Sequence, residues 1–100
     1  MNNKIASTIL DQLGGKRFIF MTGVSNLTPG ANGVIMQLPR NASGAKYLRI
    51  TLNKRDVYKM EFYTVRGSYS ETISVYSGIF SNQLDSIFES VTGLFSKLHN

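Results

Sequence analysis

The chain contains no cysteine and a single histidine, His99. Without a thiol there is no disulfide framework, no thiolate nucleophile and no cysteine-based metal site, so the fold is expected to rest on packing alone. One histidine, beyond the last apolar turn, assembles neither a hydrolytic triad nor a zinc site. Acids are also scarce: Asp11, Asp56, Glu61, Glu71, Asp85 and Glu89 are the whole set, and they are spread along the sequence. A metal-dependent nuclease needs grouped carboxylates with a lysine beside them. Asp85 and Glu89 share a helical face at i, i+4, but acids in the first half of a helix are explained by the positive end of its dipole. Lys59 and Glu61 are explained equally well by an ion pair on an outer strand face. No catalytic residue, metal or cofactor is therefore assigned, and an enzyme is not expected.

Long hydrophobic runs are missing as well. No stretch approaches the ~18 apolar residues of a membrane span, and MNNKIASTILDQLGGK lacks the basic, apolar and cleavage regions of an export signal. A cytoplasmic location and no membrane partner are the expectation. At 100 residues, 42% apolar and 17% charged, the chain reads as one folded domain.

Positive charge is what the chain has in excess, and it is localised. Residues 16–66 carry nine Lys and Arg against Asp56 and Glu61, a net +7 in a chain of net +5. Such asymmetry draws an anionic partner to one surface, although solubility alone also explains a basic face.

The best-defined unit is KYLRITLNKRDVYKMEFYTVR, residues 46–66. Leu48, Ile50 and Leu52 alternate with Tyr47, Arg49 and Thr51, and Tyr58, Met60 and Phe62 alternate with Lys59, Glu61 and Tyr63. A period of two predicts two half-buried antiparallel strands, joined through Asn53-Lys54-Arg55-Asp56 by a polar hairpin turn. One face is core; Tyr47, Arg49, Lys59, Glu61 and Tyr63 are on the other, with Lys54, Arg55 and Arg66 at the ends.

Around this hairpin, Ile5, Ala6, Ile9, Leu10 and Leu13 make the apolar stripe of a first helix, capped by Asn2 or Asn3 and stopped by Gly14-Gly15. Lys16 to Met21, with Phe18 and Phe20 on one side, reads as a strand. Thr22 to Asn32 reads as a loop from its turn residues, and its roughly eleven residues favour a recognition role. Val34, Met36 and Leu38 form the inner face of another strand, stopped by Pro39. Arg40 to Ala45 is a flexible turn. After Gly67-Ser68, a weaker strand puts Thr72, Ser74 and Tyr76 on one face and Ile73 and Val75 on the other, and ends at Gly78. From Ser81 the spacing of Leu84, Ile87, Phe88, Val91, Leu94, Phe95 and Leu98 predicts a second helix, which Gly93 either ends at Thr92 or bends. The expected fold is α+β: an N-terminal helix, a four- or five-stranded antiparallel sheet and a C-terminal helix, both helices on one face of the sheet and the other face open.

LGGKR at 13–17 is a poor phosphate loop, since its glycines follow a helix and the GxxxxGK[ST] pattern is absent. The stronger signal is Tyr and cations interleaved on the open face, an arrangement in which rings stack bases and cations follow phosphates. Tyr and Arg are equally the residues of protein-docking hot spots. Arg40, Tyr47, Arg49, Lys54, Arg55, Lys59, Tyr63 and Arg66 are the candidate partner-binding residues. Ile35 and Val65 on the same face make a sheet-to-sheet homodimer reasonable.

The segments LGGKRFIFMTG at 13–23, LPRNASGAKYLRITLN at 38–53, YKMEFYTVRG at 58–67 and LDSIFESVTGLFSKL at 84–98 resemble a widespread group of short proteins from bacteriophages, plasmids and other mobile elements. That group has no established activity to carry over to particular residues. The resemblance implies a setting in which small proteins handle the element's DNA or block a host defence, generally by binding. Two partners follow: nucleic acid at the open sheet face, or a host protein or nucleoprotein complex, in the manner of an anti-CRISPR or anti-restriction inhibitor.

Overall fold

In the computed structural model, which describes residues 4–94, the amphipathic stripe beginning at Ile5 forms helix α1 (Lys4–Leu13), with Ile9 and Leu13 fully buried. The expected caps, Asn2 and Asn3, lie outside the described residues, as does His99. Gly14 and Gly15 both have positive φ, and their N–H groups return to the Leu10 carbonyl at 3.1 and 2.8 Å. The chain is thereby turned sharply and a second helix starts at once.

That second helix, α2 (Lys16–Thr22), replaces the strand expected over Lys16 to Met21. Four consecutive apolar residues fit either period, and burial decides between them. Phe18 and Thr22, four apart, are buried, while Phe20 is 85% exposed. Phe18 meets Phe88 edge to face at 4.9 Å. The Thr22 hydroxyl donates to the Phe18 carbonyl, and Gly23, left-handed at φ 80, returns its N–H to Ile19.

The expected loop from Thr22 to Asn32 instead contains an edge strand, β1 (Ser25–Pro29). Its composition conceals it: Leu27 alone among its five residues packs on the core as an aliphatic side chain. Proline is tolerated at the end of an edge strand, where its missing donor breaks no ladder. Asn26, at φ 51, sits where the register slips between the pairs Ser25–Gln37 and Thr28–Ile35.

The remaining strands are β2 (Gly33–Gln37), β3 (Tyr47–Leu52), β4 (Tyr58–Arg66) and β5 (Tyr69–Ile79), and the sheet is an antiparallel meander in chain order β1-β2-β3-β4-β5. β2 has the expected inner face, with Val34 and Met36 buried, and so has Leu38 just past its end. The β3–β4 hairpin pairs Leu48 with Phe62 and Ile50 with Met60 on the inner face. Asn53 closes its turn, the side-chain carbonyl accepting the N–H groups of Arg55 and Val57, and Asp56 adopts φ 61. In β5, Ser74 and Tyr76 lie opposite the inward-facing Phe62 and Met60, but a register slip puts Thr72 opposite Tyr63, on the outer side. The strand also continues through Gly78 to Ile79, which is buried.

A 3₁₀ turn (Ser81–Gln83) leads into helix α3 (Leu84–Thr92). It stops at Gly93, whose φ of 73 is the left-handed stop and whose N–H bonds Glu89. Phe95 and Leu98 of the expected stripe lie outside the described residues. Ile9, Leu13, Phe18, Leu84 and Phe88 join Val34, Met36, Leu48, Ile50, Met60 and Phe62 in one buried cluster, so the helices cover a single face of the sheet. Among the described residues, no helix is long and apolar enough to cross a membrane.

Candidate partner-binding face of the sheet

Antiparallel pairing converts the alternating sequence into rows of side chains across the uncovered face. The central row runs Thr28, Ile35, Arg49, Glu61, Val75; the next runs Ser25, Gln37, Tyr47, Tyr63, Thr72. Thr51 and Lys59 pair in the row beyond Arg49 and Glu61. Four of the expected residues, Tyr47, Arg49, Lys59 and Tyr63, are thus gathered on two adjacent central strands.

Their contacts are specific. The Tyr47 and Tyr63 rings stack at 5.4 Å between centroids with 20° between planes. The Arg49 guanidinium lies 5.1 Å from the centroid of Tyr63. Glu61 faces both cations, Arg49 at 3.7 Å and Lys59 at 4.0 Å. The side chains of Arg49 and Lys59 are 46% and 48% exposed, so each ion pair contributes at most about 1 kcal/mol in water. A phosphate or an acidic side chain can compete for either cation at that cost.

The other expected residues lie around this centre. Lys54 and Arg55 occupy the exposed β3–β4 turn, at one end of β3. Arg40 is exposed in the connection between β2 and β3, at the opposite end, next to Lys46. Arg66 stands apart near the tip of the β4–β5 hairpin, where its Nε donates to Glu71 at 2.8 Å. Among the described residues, Arg40, Lys46, Lys54 and Arg55 form no ion pair.

The connection carrying Arg40 is bonded more densely than its RNASGA composition suggests. Asn41 is its hub: Nδ2 donates to the carbonyls of Pro39 and Ala45, both at 2.8 Å, and Oδ1 accepts from the N–H and hydroxyl of Ser43. The Ala42 N–H donates to the Thr92 carbonyl at 3.0 Å, tying the loop to the end of α3. Sequence reasoning did not single out Asn41, Gln37 or Val75 for this surface. The Asn-x-Ser spacing, which lets a side chain bond its own loop, is the signal for the first; the other two needed the strand register.

Among the described residues, no group of three or more His, Cys, Asp or Glu could hold a metal ion. No protein-family model, no curated protein and no solved structure matches the chain.

Proposed function

We propose that this chain is a non-catalytic binding protein of a phage or mobile element, and that it holds single-stranded nucleic acid across the open face of its sheet. One observation carries the reading: cations stand at both ends of β3, Arg40 and Lys46 at one and Lys54 and Arg55 at the other, with the tyrosines and Arg49 between. The six residues of β3 span about 20 Å, the reach of a few nucleotides. Phosphates bind the terminal cations and Lys59, and bases lie against the tyrosine pair. The resemblance to short proteins of mobile elements supplies the setting.

A specific feature favours a second reading, a protein partner such as a component of a host defence system. Tyr63 has Tyr47 stacked on it and the Arg49 guanidinium close to its ring, and Glu61 offsets part of the positive charge. A pre-packed Tyr-Arg cluster beside Ile35, Val65 and Val75 also suits a protein-docking hot spot.

Fluorescence-anisotropy titration with labelled single-stranded and duplex oligonucleotides, at about 50 and 200 mM salt, separates the two. Micromolar or tighter binding that weakens steeply with salt is the expected outcome, because phosphate contacts release counterions. Absence of binding at the lower salt overturns the nucleic-acid reading and leaves the protein partner.

A further inference from the structure

At the Arg40 end of the face, the connection between β2 and β3 and the start of β3 enclose an open cleft of about 490 Å³. We propose that this cleft is a nucleotide subsite, which takes the phosphate of one nucleotide between Arg40 and Lys46 and its base against Tyr47. The inference rests on the nucleic-acid reading above and names where on the face one nucleotide is held.

Ring geometry gives the aromatic wall. Tyr47 stacks on Tyr63, its partner on β4, so its other ring face is turned the opposite way, toward β2. Its neighbour on β2 is Gln37, and both residues line the cleft. A flat ligand can lie on that ring face without disturbing the tyrosine stack, whereas the Tyr63 ring already has the Arg49 guanidinium 5.1 Å from its centroid. A base stacked on an exposed aromatic ring gains without regard to its identity.

The cations come from the two sides of the connection. The Leu38 N–H donates to the Lys46 carbonyl at 2.8 Å, closing the base of the loop, and Arg40 follows two residues later. Both Arg40 and Lys46 line the cleft and neither has an acidic partner among the described residues. Guanidinium and ammonium groups are the donors that recognise phosphate. The Gln37 side-chain carbonyl accepts from Asn26 Nδ2 at 2.6 Å, which fixes the amide and leaves its N–H donors for a base edge or a sugar. The loop is already ordered by Asn41 and by its tie to Thr92, so little ordering cost falls on binding. A volume of this size falls within the ~300–1,000 Å³ of small-molecule sites.

Isothermal titration of the full chain with thymidine 5′-monophosphate, thymidine 3′-monophosphate, thymidine and inorganic phosphate tests the assignment. At least one monophosphate is expected to bind ten times more tightly than both thymidine and phosphate. The double variant Arg40→Gln, Lys46→Gln should abolish that advantage, and Tyr47→Leu should abolish the preference over inorganic phosphate. Lys16→Gln, Arg17→Gln, at exposed positions of α2 away from the sheet face, should leave both intact, and circular dichroism verifies the fold of each variant. A monophosphate bound no better than inorganic phosphate, or bound equally by the Arg40→Gln, Lys46→Gln variant, overturns the subsite. The oligonucleotide titration separates this failure from that of the broader reading. Oligonucleotide bound by wild type and variant alike, with no monophosphate binding, overturns only the subsite. Monophosphate bound through Arg40 and Lys46, with no oligonucleotide binding, overturns the broader reading and keeps the cleft as a nucleotide site.

Discussion

Gly33 opens β2 with its backbone against the Ile50 carbonyl, and a Cβ there would collide with that oxygen. The obstacle is main chain of a central strand, so it does not yield as a side-chain tip would. Gly33→Ala should destabilise the fold by about 1–3 kcal/mol, measured by urea denaturation, with the midpoint lowered and the slope unchanged. Glu61 makes the opposite kind of prediction. It is the carboxylate that both Arg49 and Lys59 face. Glu61→Gln should change stability by less than ~1 kcal/mol yet raise oligonucleotide affinity about fivefold at low salt, the equivalent of roughly 1 kcal/mol for one like charge removed near a phosphate. Lower affinity in this variant would contradict phosphate contact at the two cations. Arg49→Ala should weaken binding while leaving the melting temperature nearly unchanged, because the side chain is about half exposed and rests on a surface ring.

At the scale of elements, two helix ends are built alike. Phe18 and Phe88 are each followed, four residues on, by a Thr and then a Gly, and the threonine hydroxyls donate to the phenylalanine carbonyls at 2.6 and 2.7 Å. Both glycines are left-handed stops, Gly23 at φ 80 and Gly93 at φ 73. Gly93→Ala should therefore cost about 1–2 kcal/mol by strain alone, because its Cβ would meet only the Ala42 side chain at an ordinary 3.7 Å. The expected fall in melting temperature is roughly 4–8 °C per kcal/mol. The same motif explains what was legible in the sequence. The second copy sits in a long 3.6-residue stripe and was readable as a helix, but because that stripe runs on past Gly93 the sequence left a stop and a bend there both open; the first lies in a seven-residue helix, where Phe-Ile-Phe-Met matches a strand equally well. β1 was hidden for a different reason: an edge strand of Ser, Asn, Leu, Thr and Pro has one aliphatic anchor and turn-like composition. The central hairpin was readable because both of its strands alternate strictly and its turn carries Asn53 and Asp56. Its outer-face residues followed from that alternation. Their contacts did not, because the Tyr47–Tyr63 stack and the position of Glu61 depend on a register that one strand alone does not specify.

For the whole molecule, the claim with most consequence is that helices and partner occupy opposite sides of one sheet. The helices place Ile9, Leu13, Phe18, Leu84 and Phe88 on the inner face in a single cluster. Phe88→Ala, at the contact with Phe18, should cost about 3–5 kcal/mol and lower the stability of the entire domain in one transition. The outer face should then lose binding only as the protein unfolds, whereas Arg49→Ala loses it in the folded state. The most direct measurement is a heteronuclear NMR titration of the full chain with a short oligothymidine at low salt. Binding across the open face predicts perturbed signals at Arg40, Lys46, Tyr47, Arg49, Lys54, Arg55, Lys59 and Tyr63, with α1 and α3 undisturbed. Perturbations confined to the helices, or no perturbation at millimolar oligonucleotide, would contradict it.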